Sequence, residues 1–105
     1  MNILLACAGA VTTTVMAEKM EKAAQAQGKD YKVWAVEVDN VDAELAKTPV
    51  DIVLLGPQVK YKLKAIQKRC ATFNVPVVCI EPRDFGMGNA ENILKSVEKT
   101  LEGAK

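Results

Sequence analysis

Histidine is absent from the 105-residue chain. That removes Ser–His and Cys–His catalytic pairs, imidazole-ligated metal sites and phosphohistidine chemistry on this chain. Cysteine is scarce: Cys7, Cys70 and Cys79 are an odd set with no Cys-x-x-Cys pair. Neither a disulfide framework nor a zinc site fits them. No charge of one sign dominates. Fourteen Lys and Arg stand against thirteen Asp and Glu, a net charge of +1, so whole-molecule charge gives no argument for nucleic acid or anionic lipid. No run approaches the ~18 uncharged apolar residues of a membrane helix. The opening MNILLACAGA is apolar but has no basic n-region, and it ends in Thr12-Thr13-Thr14. It reads poorly as a signal peptide. The expectation is a cytosolic protein with reduced thiols.

What is present is ordinary globular material. Half of the residues are apolar and 26 % are charged, which excludes a disordered tail and leaves enough apolar surface for a core. The chain is about two-thirds of a typical domain of roughly 150 residues, so residues 1–105 are expected to form one domain.

Four short apolar runs alternate with four amphipathic ones. The runs are Ile3-Leu4-Leu5-Ala6, Val33-Trp34-Ala35-Val36, Ile52-Val53-Leu54-Leu55 and Val77-Val78-Cys79-Ile80. Continuous apolar runs mark strands covered on both faces of a parallel sheet. The second alternates less cleanly and reads as an edge strand. Helical patterns fill the gaps. Residues 15–27 carry Met16, Met20, Ala23 and Ala24 on one face, and Gly28 stops them. Residues 41–47 turn Val41, Leu45 and Ala46 inward, before Pro49. Val59, Leu63, Ile66 and Cys70 form one stripe, and Ala90, Ile93, Leu94, Val97 and Leu101 another. This alternation predicts a doubly wound α/β domain, with ligands at the carboxyl ends of its strands. Four loops lie there: residues 7–14, 37–40, 56–60 and 81–89.

The first loop is Cys7-Ala8-Gly9-Ala10-Val11-Thr12-Thr13-Thr14. Small residues join a buried strand to a helix start. Backbone N–H groups in such a turn converge with the positive helix end and cradle an anion. Gly9 permits positive φ there, and a threonine can cap the helix. GxGxxG and Walker A patterns are both absent. The loop begins instead with a thiol, which the same N–H groups are expected to hold below its ordinary pKa. A thiolate at a phosphate-sized nest can attack phosphorus. The plain alternative is a small apolar residue closing a strand, a reading that suits Cys70 and Cys79.

A similar Cys loop opens the low-molecular-weight tyrosine phosphatases, whose signature is Cys-x5-Arg. Here the sixth residue after Cys7 is Thr13, so the guanidinium fork is missing. Asp84 is the candidate for the acid such an enzyme needs. Without the Arg, an S-phosphate is expected to hydrolyse slowly, which suits a carrier better than a phosphatase. A third class is a binding module with an inert Cys7.

Three segments carry a wider resemblance: Ile3-Leu4-Leu5-Ala6-Cys7-Ala8-Gly9, Val53-Leu54-Leu55-Gly56-Pro57-Gln58-Val59-Lys60-Tyr61, and Asp84-Phe85-Gly86-Met87-Gly88-Asn89. With them the chain resembles, over nearly its whole length, the enzyme IIB components of the phosphoenolpyruvate-dependent sugar phosphotransferase system, lactose/cellobiose (N,N′-diacetylchitobiose) family. The resemblance implies a three-layer α/β sandwich with a four-stranded parallel sheet in the order 2-1-3-4. It also implies a P-loop-like phosphate site after strand 1, spanning Ala8 to Thr14. Cys7 then carries phosphate as phosphocysteine. The donor is a phosphohistidine of a IIA component. The acceptor is a cellobiose, chitobiose, lactose or related β-glycoside translocated by the membrane component IIC. The mannose-type IIB, which uses His, is excluded. Cellobiose-type loops place the glycine one residue later and have Met where Val11 stands. The resemblance further implies a cytoplasmic monomer, peripherally associated with IIC, with no cofactor, no metal and no nucleic-acid partner.

Other residues carry two readings each. Gln58 faces the phosphate or caps the turn made by Gly56-Pro57. Tyr61 packs its ring on the surface or acts as an acid. Arg83 and Asp84 touch the phosphoryl group or a partner, or form a local ion pair. Lys60, Lys62, Lys64, Lys68 and Arg69 are a solvated helix face or a docking face for an acidic partner. Trp34 is expected to pack on the second strand.

Overall fold

Ile3, Leu4, Leu5 and Ala6 are wholly buried because their strand lies in the middle of a sheet. The computed structural model describes residues 2–7 and 10–103, with side chains other than those of 10–14 and 102–103. Four strands, β1 (Asn2–Cys7), β2 (Lys32–Glu37), β3 (Ile52–Leu55) and β4 (Val77–Cys79), pair in parallel in the order β2-β1-β3-β4. The expected strand order and the edge position of the second strand both hold.

Side-chain alternation along β1 and β3 separates two apolar layers. Ile3, Leu5, Ile52 and Leu54 pack on Met16, Met20 and Ala24 of α1 (Ala10–Ala26) and on Ile93, Leu94 and Val97 of α5 (Ala90–Gly103). Leu4, Ala6, Val53 and Leu55 face the other way. They meet Val41 and Leu45 of α2 (Val41–Lys47) and Ile66 and Cys70 of α3 (Leu63–Ala71). Each fully buried Leu or Ile contributes about 1.5–3 kcal/mol against exposure. Helices on both faces explain why the central strands are continuous apolar runs.

The strand order also locates a crevice. The chain leaves β1 for β2 on one side, then crosses to β3 on the other side of β1. The direction of winding therefore reverses between β1 and β3, and the carboxyl ends of those two strands form the switch point. Gly56 N donates to Ala6 O at 2.8 Å, which continues the β1–β3 pairing by one residue beyond β3.

Several expectations need correction. The helix α1 opens at Ala10, so Thr12, Thr13 and Thr14 lie inside its first two turns. None of them precedes the helix, and none is its N-cap. Ala46 is exposed; Val41 and Leu45 alone hold α2 to the core. The stripe from Val59 to Cys70 is not one α-helix. A 3-10 segment, Pro57–Lys62, kinks at Val59 (φ −115°, ψ 23°) before α3 begins. The loop expected over 81–89 contains a helix, α4 (Pro82–Met87). Pro82 opens it, and Gly88 closes it with φ 63°.

Candidate active site

Cys7 is the last residue of β1 and is 4 % exposed. By alternation it shares the face of Ile3 and Leu5, toward α1 and α5. Its neighbour across the switch point is Gly56, whose backbone is extended at φ −64°, ψ 151°. An L side chain suits that conformation; space is what excludes one. A Cβ on Gly56 would stand 2.8 Å from Gln58 Oε1, 3.1 Å from Cys7 Sγ and 3.4 Å from Cys7 Cβ. Glycine is therefore the residue that lets sulfur and carboxamide meet at this seam.

The turn after β3 delivers the carboxamide. Pro57 fixes φ at the first position of the 3-10 segment, and Val59 N closes the turn on Gly56 O at 3.1 Å. Val59 is fully buried and anchors the segment. Gln58, between them, is exposed, and its Oε1 accepts from Cys7 Sγ at 3.4 Å. Gln58 thus faces the Cys7 thiol from across the seam.

The remaining candidates separate. Ala8 and Gly9 of the expected phosphate-binding loop lie outside the described residues. Ala10 to Thr14 supply the N-terminal turns of α1, and their side chains also lie outside the described residues. Tyr61 is 78 % exposed; Lys62 Nζ lies 5.9 Å from its ring centroid. Asp84 sits on α4 and accepts from Asn92 Nδ2 at 3.4 Å; among the described residues neither Arg83 nor Asp84 enters an ion pair. Asp84 lines a small cavity with Cys79, Glu81 and Ser96, and Cys7 is not among its walls.

The other two thiols differ from Cys7 in setting. Cys70 is fully buried on α3, where burial and then the charge of Asp42 push its pKa up to about 11. Cys79 is half-buried at the end of β4. Burial raises its pKa; Lys60 opposes that and Glu81 adds to it. The basic face of the 3-10 segment and α3 is partly used within the fold. Lys62 pairs with Asp39 at 3.0 Å, and Arg69 with Asp42 at 3.6 Å. Lys60, Lys64 and Lys68 are exposed.

Sequence reasoning missed the role of Gly56. Its signal was a glycine placed directly after a four-residue buried strand and before Pro57. Glu37, at the head of the 37–40 loop, ends the edge strand beside Cys7 in the β1–β2 register. No pattern within one segment could have paired those two residues.

Comparison with known proteins gives the family of the chain and relatives of the same fold. The family described as "PTS system, Lactose/Cellobiose specific IIB subunit" matches residues 2–96. The galactose-specific EIIB component of Lactococcus lactis subsp. cremoris is 34 % identical over 102 residues, covering 94 % of each chain. The oligo-beta-mannoside-specific EIIB component of Bacillus subtilis is 32 % identical over 100 residues, covering 95 % of this chain and 92 % of that one. Among solved structures, the cellobiose-specific IIB component of Borrelia burgdorferi superposes with a TM-score of 0.79 at 24 % identity, covering 100 % of this chain and 94 % of that one. The lactose-specific IIB domain of Streptococcus pneumoniae gives a TM-score of 0.78 at 16 % identity, covering 97 % and 95 %. No helix among the described residues is long and apolar enough to cross a membrane. The chain belongs to the lactose/cellobiose-specific IIB family of the sugar phosphotransferase system, whose members are phosphotransferases.

Proposed function

We propose that Cys7 is the phosphoryl acceptor and donor of this IIB component. One observation carries the reading: a cysteine thiol stands at the switch-point crevice between β1 and β3, beside a glycine with no room for a side chain. Cys70 and Cys79 stand elsewhere, with raised pKa values.

In the first step the Cys7 thiol gives up its proton to solvent, and the thiolate attacks the phosphorus of a phosphohistidine on the IIA component. The S–P bond forms as the N–P bond breaks, and the imidazole nitrogen keeps the electron pair. In the second step a hydroxyl oxygen of a sugar held by IIC attacks the same phosphorus. The O–P bond forms, sulfur leaves as thiolate, and the hydroxyl proton passes to solvent. In-line transfer asks the protein for positioning and for N–H electrostatics, which helix α1 supplies at its start, three residues beyond Cys7. The residue six beyond Cys7 is Thr13 and not Arg, which weighs against a phosphatase. The sugar is a β-glycoside such as cellobiose, chitobiose or lactose. Similar chains carry the names galactose, cellobiose and oligo-beta-mannoside. The protein works in the cytoplasm, against the inner face of IIC.

The test is phosphorylation from phosphoenolpyruvate through the general phosphotransferase proteins and the cognate IIA. One phosphoryl mass on Cys7 is expected, and none on Cys7→Ser. Phosphate still accepted by Cys7→Ser would overturn the assignment. Steady turnover of an aryl phosphate by the isolated protein would favour a hydrolase.

A further inference from the structure

The hydrogen bond between Cys7 and Gln58 has a polarity that phosphorylation must reverse. In the structure the thiol is the donor and Gln58 Oε1 the acceptor, at 3.4 Å. A phosphocysteine has no S–H, and its phosphoryl oxygens are acceptors only. Oε1 left facing them would set acceptor against acceptor. The same carboxamide carries two donors on Nε2. Turning it over about its terminal torsion, which is broad and roughly two-fold in glutamine, exchanges one edge for the other. Gln58 is exposed, so no packed wall stops that rotation. Gly56 leaves the space for it, because a Cβ there would lie 2.8 Å from Oε1.

We propose that Gln58 is a positioning residue that serves both states of Cys7. It accepts from the thiol when the site is empty and donates through Nε2 to the phosphoryl group when the site is loaded. This rests on Cys7 being the phosphorylated residue. It goes further by giving a side chain, rather than the loop backbone, a share in holding the phosphoryl group. The rotation breaks one hydrogen bond and makes another, so the amide helps both the empty and the loaded site. A carrier that must both take and release phosphate needs such a balance.

Three proteins test it: the unsubstituted chain, Gln58→Glu and Gln58→Leu, each phosphorylated through the same IIA. Glutamate keeps the length and the acceptor but has no Nε2 donor, and its charge opposes the phosphoryl dianion. Leucine removes both edges. At equal donor concentration, phosphocysteine occupancy relative to IIA is expected to fall about tenfold for Gln58→Leu, the equivalent of one hydrogen bond to a charged group. A larger fall is expected for Gln58→Glu. A purely structural Gln58, holding the turn by its length, would leave Gln58→Glu unchanged. In the unsubstituted protein, the Gln58 Nε2–H2 NMR signals are expected to shift on phosphorylation and to show coupling to phosphorus across the hydrogen bond. If Cys7 becomes phosphorylated but these signals stay in place and both variants hold normal occupancy, the role of Gln58 is overturned and that of Cys7 stands. If Cys7 takes no phosphate in the unsubstituted protein, both fall together.

Discussion

Gly56 and Cys7 are neighbours across the β1–β3 seam so close that a methyl group on Gly56 would lie 3.1 Å from Cys7 Sγ. The Gly56 backbone would accept alanine, since its φ is −64°. Gly56→Ala is therefore a probe of space alone. The Gln58 end is flexible and would yield first, because its Oε1 would be 2.8 Å from the new carbon. The variant is expected to fold with a loss of about 1–3 kcal/mol, the usual cost of overpacking, measured by urea unfolding. Phosphorylation of Cys7 is expected to slow about tenfold, the scale set by one lost hydrogen bond to a charged group. A variant that loads as fast as the unsubstituted chain would show that the glycine serves the turn only.

The three cysteines should be chemically distinct. The Cys70 pKa of about 11 leaves about one thiol in a thousand ionised at pH 8. Its side chain is also fully buried. Iodoacetamide at pH 8 should leave Cys70 intact in the folded protein and modify it after denaturation. Cys79, half-buried with a raised pKa, should react slowly and faster with rising pH. Peptide mass mapping after timed quenching reads both. Rapid native labelling of Cys70 would mean that α3 opens readily.

Much of this architecture was readable in the chain because a parallel sheet covered on both faces demands apolar runs. Ile52 to Leu55 is such a run, bounded by Asp51 and Gly56, and β3 has those limits. The bounds of α2 also follow from Val41, Leu45 and the nearby Pro49. The start of α1 was harder. Ala10 to Thr14 contains β-branched residues of modest helix propensity, and such weak preferences yield to tertiary packing. The helix α4 is six residues long, too short for periodicity to register, although Pro82 and Gly88 marked its ends.

The site was only half legible. Cys7 stood out as a thiol at a strand end before a run of small residues. Its partner is 51 residues away, and the hydrogen bond depends on the crossover that lays β3 against β1. Asp84, which its position after β4 suggested for the site, lies on α4 and accepts from Asn92 of α5, an arrangement no pattern in the loop announced.

A cluster away from the site should contribute to the pH dependence of stability. Lys29 bonds Glu98 of α5, and Tyr31 OH donates to the same Oε1 at 3.0 Å. The bond from Lys29 lowers the Glu98 pKa below its ordinary 4.5, and the bond from Glu98 raises that of Lys29 above 10.5. Burial first, and then Glu98, raises Tyr31 above 10.0. A depressed carboxyl stabilises the fold above its unfolded pKa, and that share is lost as pH falls through the folded value. A raised ammonium or phenol contributes below its unfolded pKa and loses its share as pH rises through the folded one. Melting temperature should therefore be flat between these limits, falling in acid below about 4.5 and in alkali above about 10. Glu98→Gln should melt a few degrees lower at neutral pH, with a flatter acid limb. An unchanged acid limb would assign that limb to other carboxylates.

The edge strand is held by a bond whose strength can be measured separately. Trp34 Nε1 donates to Glu44 Oε1 at 2.9 Å, joining β2 to α2, and Trp34 is the only tryptophan in the chain. Glu44 is largely covered, its side chain 17 % accessible, and Lys47 Nζ is 3.9 Å from its other oxygen. Removing the indole N–H would leave a covered carboxylate short of a donor. Trp34→Phe should cost about 1–3 kcal/mol, since hydrogen bonds to charged groups stand at the high end of the range. Glu44→Gln keeps an acceptor and should cost much less. A double-mutant cycle of Trp34→Phe with Glu44→Ala in urea isolates the coupling, which should exceed about 0.5 kcal/mol for residues in contact. Additive single effects would mean that packing of Trp34 against the apolar layer it shares with Leu4, Val41 and Leu45 holds the edge without the bond.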